Sequence, residues 1–184
     1  MAGRRAGAGL ALAAIALSAA GCFGGSTTTV TTTVTQTDTV TTTITHSAAP
    51  TPCYGGQLVG TFNLVPGSQG AGQVSYLLTL KNTSQTACTV TGLPAGVTLE
   101  DVNKTSLPTQ VTGSPSSTVV TLQPGDSATA TARFSPDVTS QNGKCQPKAY
   151  RIEVNPGAGI TEMDVKPPES VCDGTLNFTV YAKG

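Results

Sequence analysis

Apolar and polar residues alternate with a period of two in short segments between Leu58 and Val180, and this pattern limits the possible folds most. Successive side chains of an extended strand point to opposite faces, so each segment predicts a strand with one buried face. The residues expected to face inward are Leu58, Phe62, Leu64, Val74, Tyr76, Leu78, Leu80, Val97, Leu99, Val120, Leu122, Ala128, Ala130, Ala132, Phe134, Tyr150, Ile152, Val154, Leu176, Phe178 and Val180.

Turn-forming residues separate these segments at Pro66-Gly67, Leu93–Gly96, Gln123–Asp126 and Asn155–Gly157. Short strands joined by regular turns predict an all-β chain, an immunoglobulin-like antiparallel β-sandwich of about seven to nine strands. Because the chain has no Trp, the likeness to immunoglobulin domains is one of architecture only.

The first 22 residues have the features of an export signal. Arg4 and Arg5 precede an apolar run over 6–20, which is shorter than the roughly 20 residues that span a membrane. The run ends in Ala19-Ala20-Gly21-Cys22, which resembles the bacterial lipobox. We therefore expect 1–21 to be a lipoprotein signal peptide and Cys22 to carry lipid on the outer face of the bacterial cell membrane. An ordinary secretory signal with an unmodified Cys22 is the alternative.

A Thr-rich stretch, Ser26–Thr45, follows the signal. Its low complexity and small apolar content favour a disordered spacer over a strand. We expect 22–52 to be the lipidated N-terminus and this tether, either unmodified or O-glycosylated, and 53–184 to be the β-sandwich domain. His46, the chain's only histidine, lies at the tether's end, which argues against a Ser–His–Asp or Cys–His site in the domain.

Four cysteines remain after Cys22, and an even number in an exported protein predicts two disulfides. An antiparallel hairpin of 57–65 with 73–82 would bring Cys53 near Cys88. A second hairpin, 149–155 with 160–165, would return the chain toward Cys145, where Cys172 can meet it. We expect Cys53–Cys88 and Cys145–Cys172, although four cysteines allow three connectivities.

The order of several short motifs is specific. Leu80–Ser84 leads to Cys88, Thr91–Pro94 follows, and Leu122–Ala128 comes before Cys145 and Cys172. This order resembles the actinobacterial secreted lipoprotein domain known as domain of unknown function 4232, over about 53–184. The resemblance implies an envelope location and a β-sandwich. It implies no known activity, so no functional residue is carried over.

Charge and motif content exclude several function classes. Removal of the signal leaves eight basic and ten acidic residues, a net charge of −2, and the scattered Lys and Arg argue against nucleic acid as a partner. The loop Gly67–Gly72 is Gly-rich, but no helix pattern follows it to bind phosphate. The wide cysteine spacing argues against zinc, and we expect no catalytic residue, cofactor or metal.

A few acidic residues are weaker candidates. Glu100-Asp101 and Glu162/Asp164 are the closest acidic pairs, and Asp101 with Asn103 offers a poor match to a calcium loop. The loops Asp101–Ser117 and Ser135–Lys148 are the expected places for a binding surface.

Taken together, these residues predict a membrane-anchored envelope lipoprotein with a non-catalytic, monomeric binding or structural domain. Its partners are the membrane, through Cys22, and an envelope protein or glycan. The alternative is an envelope enzyme or metal-dependent factor with a carboxylate site built from loops.

Overall fold

The computed structural model of the chain describes residues 49–136 and 145–184. These residues form thirteen β-strands and one short 3₁₀ turn, Gly55–Gln57. The strands are β1 (Thr51–Pro52), β2 (Leu58–Leu64), β3 (Val74–Asn82), β4 (Cys88–Thr91), β5 (Ala95–Glu100), β6 (Ser106–Leu107), β7 (Gln110–Thr112), β8 (Val119–Leu122), β9 (Ser127–Phe134), β10 (Ala149–Asn155), β11 (Thr161–Glu169), β12 (Thr175–Phe178) and β13 (Ala182–Lys183). The all-β prediction is confirmed, and nine of the described strands have four or more residues.

The strands form two curled sheets. The larger follows the order β6-β5-β10-β11-β2-β3-β9-β12-β7, with β13 also pairing β9, and the smaller has the order β1-β4-β8. Leu99 of β5 donates its N–H to the hydroxyl of Thr109 beside β7 (3.1 Å), so strands near opposite ends of the large sheet approach each other. This curling gives the described domain its sandwich-like form, and the specifically immunoglobulin-like arrangement stays a prediction.

Both hairpins expected from the sequence are present. β2 pairs antiparallel with β3 from Leu58↔Asn82 to Leu64↔Tyr76, and β10 pairs antiparallel with β11. Three other pairings are parallel: β1 with β4, β2 with β11, and β7 with β12. A short turn can produce only an antiparallel pair, so local patterns do not predict these long-range parallel contacts.

Side chains from both sheets share one hydrophobic core. Alternate residues of β3 and β9 supply its centre, because eight consecutive pairs hold the two strands in register from Val74↔Phe134 to Lys81↔Ser127. Three tilted aromatic contacts, with ring centroids 5.1–6.4 Å apart, link Phe62 to Tyr76, Phe62 to Phe178, and Tyr76 to Phe134. Val90 and Leu122 of the small sheet are fully buried in the same core.

Two residues expected to face inward do not, and a bulge explains each. The β10–β11 register shifts between Ala149 and Arg151, so Ala149 is buried and Tyr150 is 39% exposed. After β12, four steps from Phe178 to Ala182 oppose only three steps along β9. This extra residue inverts the alternation, so Tyr181 is buried in place of Val180.

Two disulfides brace the domain, Cys53–Cys88 and Cys145–Cys172, and these are the pairs that the hairpins predict. Cys53–Cys88 links the end of β1 to β4, and Cα atoms of its two residues lie 4.8 Å apart. Strand pairing already begins at Thr51, two residues before the expected boundary. The signal peptide, Cys22 and the Thr-rich stretch lie outside the described residues.

The family-like motifs have structural roles in this fold. Asn82 is fully buried at the end of β3. Its Nδ2 donates to the carbonyls of Thr86 (2.8 Å) and Leu122 (3.0 Å), and its Oδ1 accepts from the N–H and hydroxyl of Ser84. Its backbone bonds the Gln123–Asp126 turn in both directions. Asn82 therefore connects the large sheet to β8 of the small one.

Candidate functional site

A pocket of about 300 Å³ opens between the end of β1, strand β4 and the β10–β11 turn. Four segments far apart in sequence meet there, and each contributes one to four residues. The lining residues are Pro52, Thr89, Thr91, Leu93, Ala95, Asn155, Pro156, Gly157 and Tyr181. None of these described lining residues carries a formal charge. Pockets of this size with apolar walls and a few polar groups are typical of small-ligand sites.

The β4–β5 turn shapes one wall of the pocket. Gly92 has φ +69°, and a Cβ there would lie 2.6 Å from the carbonyl oxygen of Ser116, so only glycine fits. Its N–H donates to the carbonyl of Thr118 (3.0 Å), and its own carbonyl accepts from the N–H of Tyr181 (2.9 Å). This turn therefore places Leu93 and Tyr181 side by side at the pocket.

The opposite wall is the β10–β11 turn, which packs directly on β1. Gly157 contacts β1 so closely that an added Cβ would lie 2.8 Å from the Cβ of Pro52. The side-chain oxygen of Asn155 accepts from the N–H of Gly157 (3.0 Å), and Ala158 donates to the carbonyl of Cys53 (3.1 Å). Because Cys53 is also disulfide-bonded to β4, the turn packs on a segment that is covalently fixed to the small sheet.

Tyr181 has the most unusual environment of the lining residues. Its side chain is only 2% exposed, and its buried hydroxyl has no hydrogen-bond partner among the described residues. Burial raises the pKa of the phenol well above its ordinary value, so the group is a neutral hydrogen-bond donor at physiological pH. A buried polar group without a partner costs about 1–3 kcal/mol. Native proteins usually satisfy such groups.

The other polar groups at the pocket are also available to a ligand. No described residue forms a hydrogen bond with the side-chain hydroxyls of Thr89 and Thr91 or with the amide nitrogen of Asn155. Tyr54 is 59% exposed and is not a lining residue, but its ring lies at Gly159, on the turn that also forms a pocket wall. The pocket thus offers uncharged hydrogen-bonding side chains, and one of its walls belongs to a turn that also contacts an exposed aromatic ring.

The acidic residues singled out from the sequence meet on a different surface. The outer face of β5, β10 and β11 carries Glu100, Glu162 and Asp164, and Arg151 lies between them, opposite both Glu100 and Asp164 in register. Arg151 forms an ion pair with Glu162, and Lys166 pairs with Asp164 (3.3 Å). Glu162 and Asp164 are exposed and paired with cations, and Glu100 lies across Arg151 from Asp164, unlike the facing carboxylates of a glycosidase cleft.

The possible calcium residues form a tight turn instead. One carboxylate oxygen of Asp101 accepts the N–H groups of Asn103 and Thr105, both at 2.8 Å. Within the described ranges, no group of three His, Cys, Asp or Glu residues is arranged to hold a metal ion. A second depression, of about 400 Å³, includes Asp101, Tyr150 and Arg151, but its charged groups already have partners.

The pocket at Tyr181 lies outside both loops expected to bind. None of its lining residues falls within Asp101–Ser117 or the described parts of Ser135–Lys148. Sequence reasoning missed it because its residues come from four separate segments and because a bulge after β12 turns Tyr181 inward. The Thr91–Pro94 motif was the one available signal, since it includes the turn that forms a wall. The Gly67–Gly72 loop joins β2 to β3 and contributes nothing to the pocket.

Across the part of the chain that the structure describes, no helix is long and apolar enough to cross a membrane.

Comparison with known proteins gives one result. No curated protein and no solved structure matches the chain. A family model does match, over residues 53–181. These residues include both disulfides and every lining residue of the pocket except Pro52. The chain therefore belongs to the family described as Domain of unknown function (DUF4232).

Proposed function

We propose that this chain is a lipid-anchored protein of the bacterial cell envelope that presents a non-catalytic binding domain. Its ligand site is the pocket at Tyr181. The observation that carries the binding role is the combination found there: a preformed pocket, braced by a disulfide, with uncharged polar groups that no described residue satisfies. The lipobox-like Ala19–Cys22 sequence supports the anchor.

The polar chemistry of the domain also fits binding better than catalysis. A catalytic carboxylate needs an environment that adjusts its pKa to the reaction. Glu162 and Asp164 on the outer face of β11 instead form ion pairs with Arg151 and Lys166 on an exposed strand surface. Such pairs are ordinary surface electrostatics.

Binding is tested with washed envelopes and the chain carrying Cys22→Ser, so that lipid does not contribute. Thr91 is an exposed residue that lines the pocket. Thr61 of β2 is also an exposed threonine, but it does not line the pocket and serves as the control position. We expect saturable binding that Thr91→Arg abolishes and that Thr61→Arg leaves unchanged. Absence of saturable binding, or an equal loss in both variants, would contradict a ligand site in the pocket.

Anchoring is tested separately by cell fractionation. We expect the unsubstituted chain in the membrane fraction, Cys22→Ser in the soluble extracellular fraction, and the control Ser26→Ala in the membrane fraction. Release of the unsubstituted chain into the soluble fraction would contradict the anchor.

A further inference from the structure

We propose that the pocket at Tyr181 binds an uncharged sugar, and that the Tyr181 hydroxyl donates a hydrogen bond to it. This inference rests on the proposed binding role and names the class of ligand. It begins from the lining residues, whose polar members are Thr89, Thr91, Asn155 and Tyr181. No formal charge among the lining residues would compensate a charged ligand.

Apolar groups form the rest of the lining. They come from Pro52, Leu93, Ala95 and Pro156. A pyranose ring has hydroxyls that donate and accept at its edge and C–H groups on its faces. This mixture matches the lining, whereas a purely apolar ligand would leave the Thr and Asn groups without partners.

Tyr54 provides a further reason for a sugar. Its exposed ring is supported by Gly159, whose added Cβ would lie 3.1 Å from the ring, and the same turn forms the pocket wall through Gly157. An exposed aromatic ring packed on the turn that forms a pocket wall is a suitable surface for the C–H face of a sugar that extends from the pocket.

A sugar oxygen would supply the hydrogen-bond acceptor that the Tyr181 hydroxyl lacks. This hydroxyl is buried and has no partner among the described residues. A ligand oxygen reaches it once the lining around Tyr181 shifts. The new hydrogen bond then removes the desolvation cost of the unpartnered hydroxyl, so binding and domain stability are coupled.

The test is an NMR titration of the full chain carrying Cys22→Ser with neutral methyl glycosides of glucose, galactose, mannose and N-acetylglucosamine. The usual binding energy per ligand atom gives a dissociation constant on the order of 1 mM for one sugar ring. We expect amide shifts at Thr89, Thr91, Asn155 and Gly157. Tyr181→Phe and Tyr54→Ala should each weaken binding by roughly two- to tenfold.

Two matched variants serve as controls. Tyr76→Phe removes the hydroxyl of another buried tyrosine, which donates to the carbonyl of Pro167 and does not line the pocket. Tyr150→Ala removes another exposed ring, at the opposite end of β10 from Asn155. Both should bind glycosides as the unsubstituted chain does.

The outcomes separate this inference from the proposed function. Glycoside shifts at the pocket that weaken in Tyr181→Phe support the inference. No glycoside binding overturns it, while envelope binding lost in Thr91→Arg would still support the binding role. Binding of a neutral prolyl peptide, acetyl-Pro-Ala-amide, at the pocket without glycoside binding also overturns the sugar assignment. Equal affinity in Tyr181→Phe and the unsubstituted chain overturns the role of the hydroxyl.

Discussion

Asn82→Ala should destabilise the domain far more than an ordinary polar substitution. The side chain makes four hydrogen bonds and is fully buried. At about 0.5–1.5 kcal/mol net for each bond, their sum is about 2–6 kcal/mol. Ser84 and Thr86 are near the surface, where water can replace Asn82, so the lower half of this range, about 2–4 kcal/mol, is expected. The carbonyl of Leu122 is buried and carries most of the cost.

The assay is urea unfolding of the oxidised chain carrying Cys22→Ser. The free energy of unfolding should fall by about 2–4 kcal/mol with an unchanged dependence on urea, because the exposed surface does not change. The control is Asn177→Ala, whose exposed side chain makes one bond to the Thr112 hydroxyl (3.2 Å). Its loss should cost no more than about 0.5 kcal/mol. A change below about 1 kcal/mol for Asn82→Ala would refute its role as a connection between sheets.

Three further predictions concern stability. Tyr181→Phe should raise the free energy of unfolding by about 1 kcal/mol, because it removes a buried hydroxyl without a described partner. Tyr76→Phe should lower it by about as much, because it removes a hydroxyl that donates a hydrogen bond. Urea unfolding that shows the same change in both variants would contradict this contrast. Burial, with a smaller contribution from Glu169, raises the pKa of Tyr76 to about 12. As the pH rises, the phenol of Tyr76 therefore keeps its proton to a higher pH in the folded state than in the unfolded state. The free energy of unfolding should be constant below about pH 10 and decrease from there to about pH 12. A free energy of unfolding that does not change over this pH range would contradict the prediction. Removing the Cys53–Cys88 bridge with a Cys→Ala pair should cost about 3–4 kcal/mol by loop entropy, and non-reducing peptide mapping should recover these two residues linked to each other.

The local part of the fold could be read from the sequence. β3 and β9 alternate without interruption, so their buried faces are predicted correctly along their whole length. The predicted buried faces are wrong at Tyr150 and near Tyr181, where the pairing register shifts and so changes which residues face the core. The parallel pairs between distant strands depend on how the sheets curl. The alternation of apolar and polar residues within one strand does not predict that curling.

The candidate site was harder to predict for the same reason. Its walls come from the end of β1, the stretch from β4 to the start of β5, the β10–β11 turn and Tyr181 between β12 and β13, and chain order does not show that they meet. The acidic pairs show that residues brought close together do not necessarily form a site. Glu100 and Asp164 do come onto one face, but Arg151 lies between them, so nearness alone gives no reactive site.

The central claim is that the domain is anchored to a membrane through Cys22. The most direct test is to extract the chain from membranes and measure the mass of its N-terminal peptide. We predict a peptide that begins at Cys22 and carries a diacylglyceryl group on its sulfur, with the residues before Cys22 removed. A mature chain that begins elsewhere, or a Cys22 that reacts as a free thiol, would contradict the anchored role.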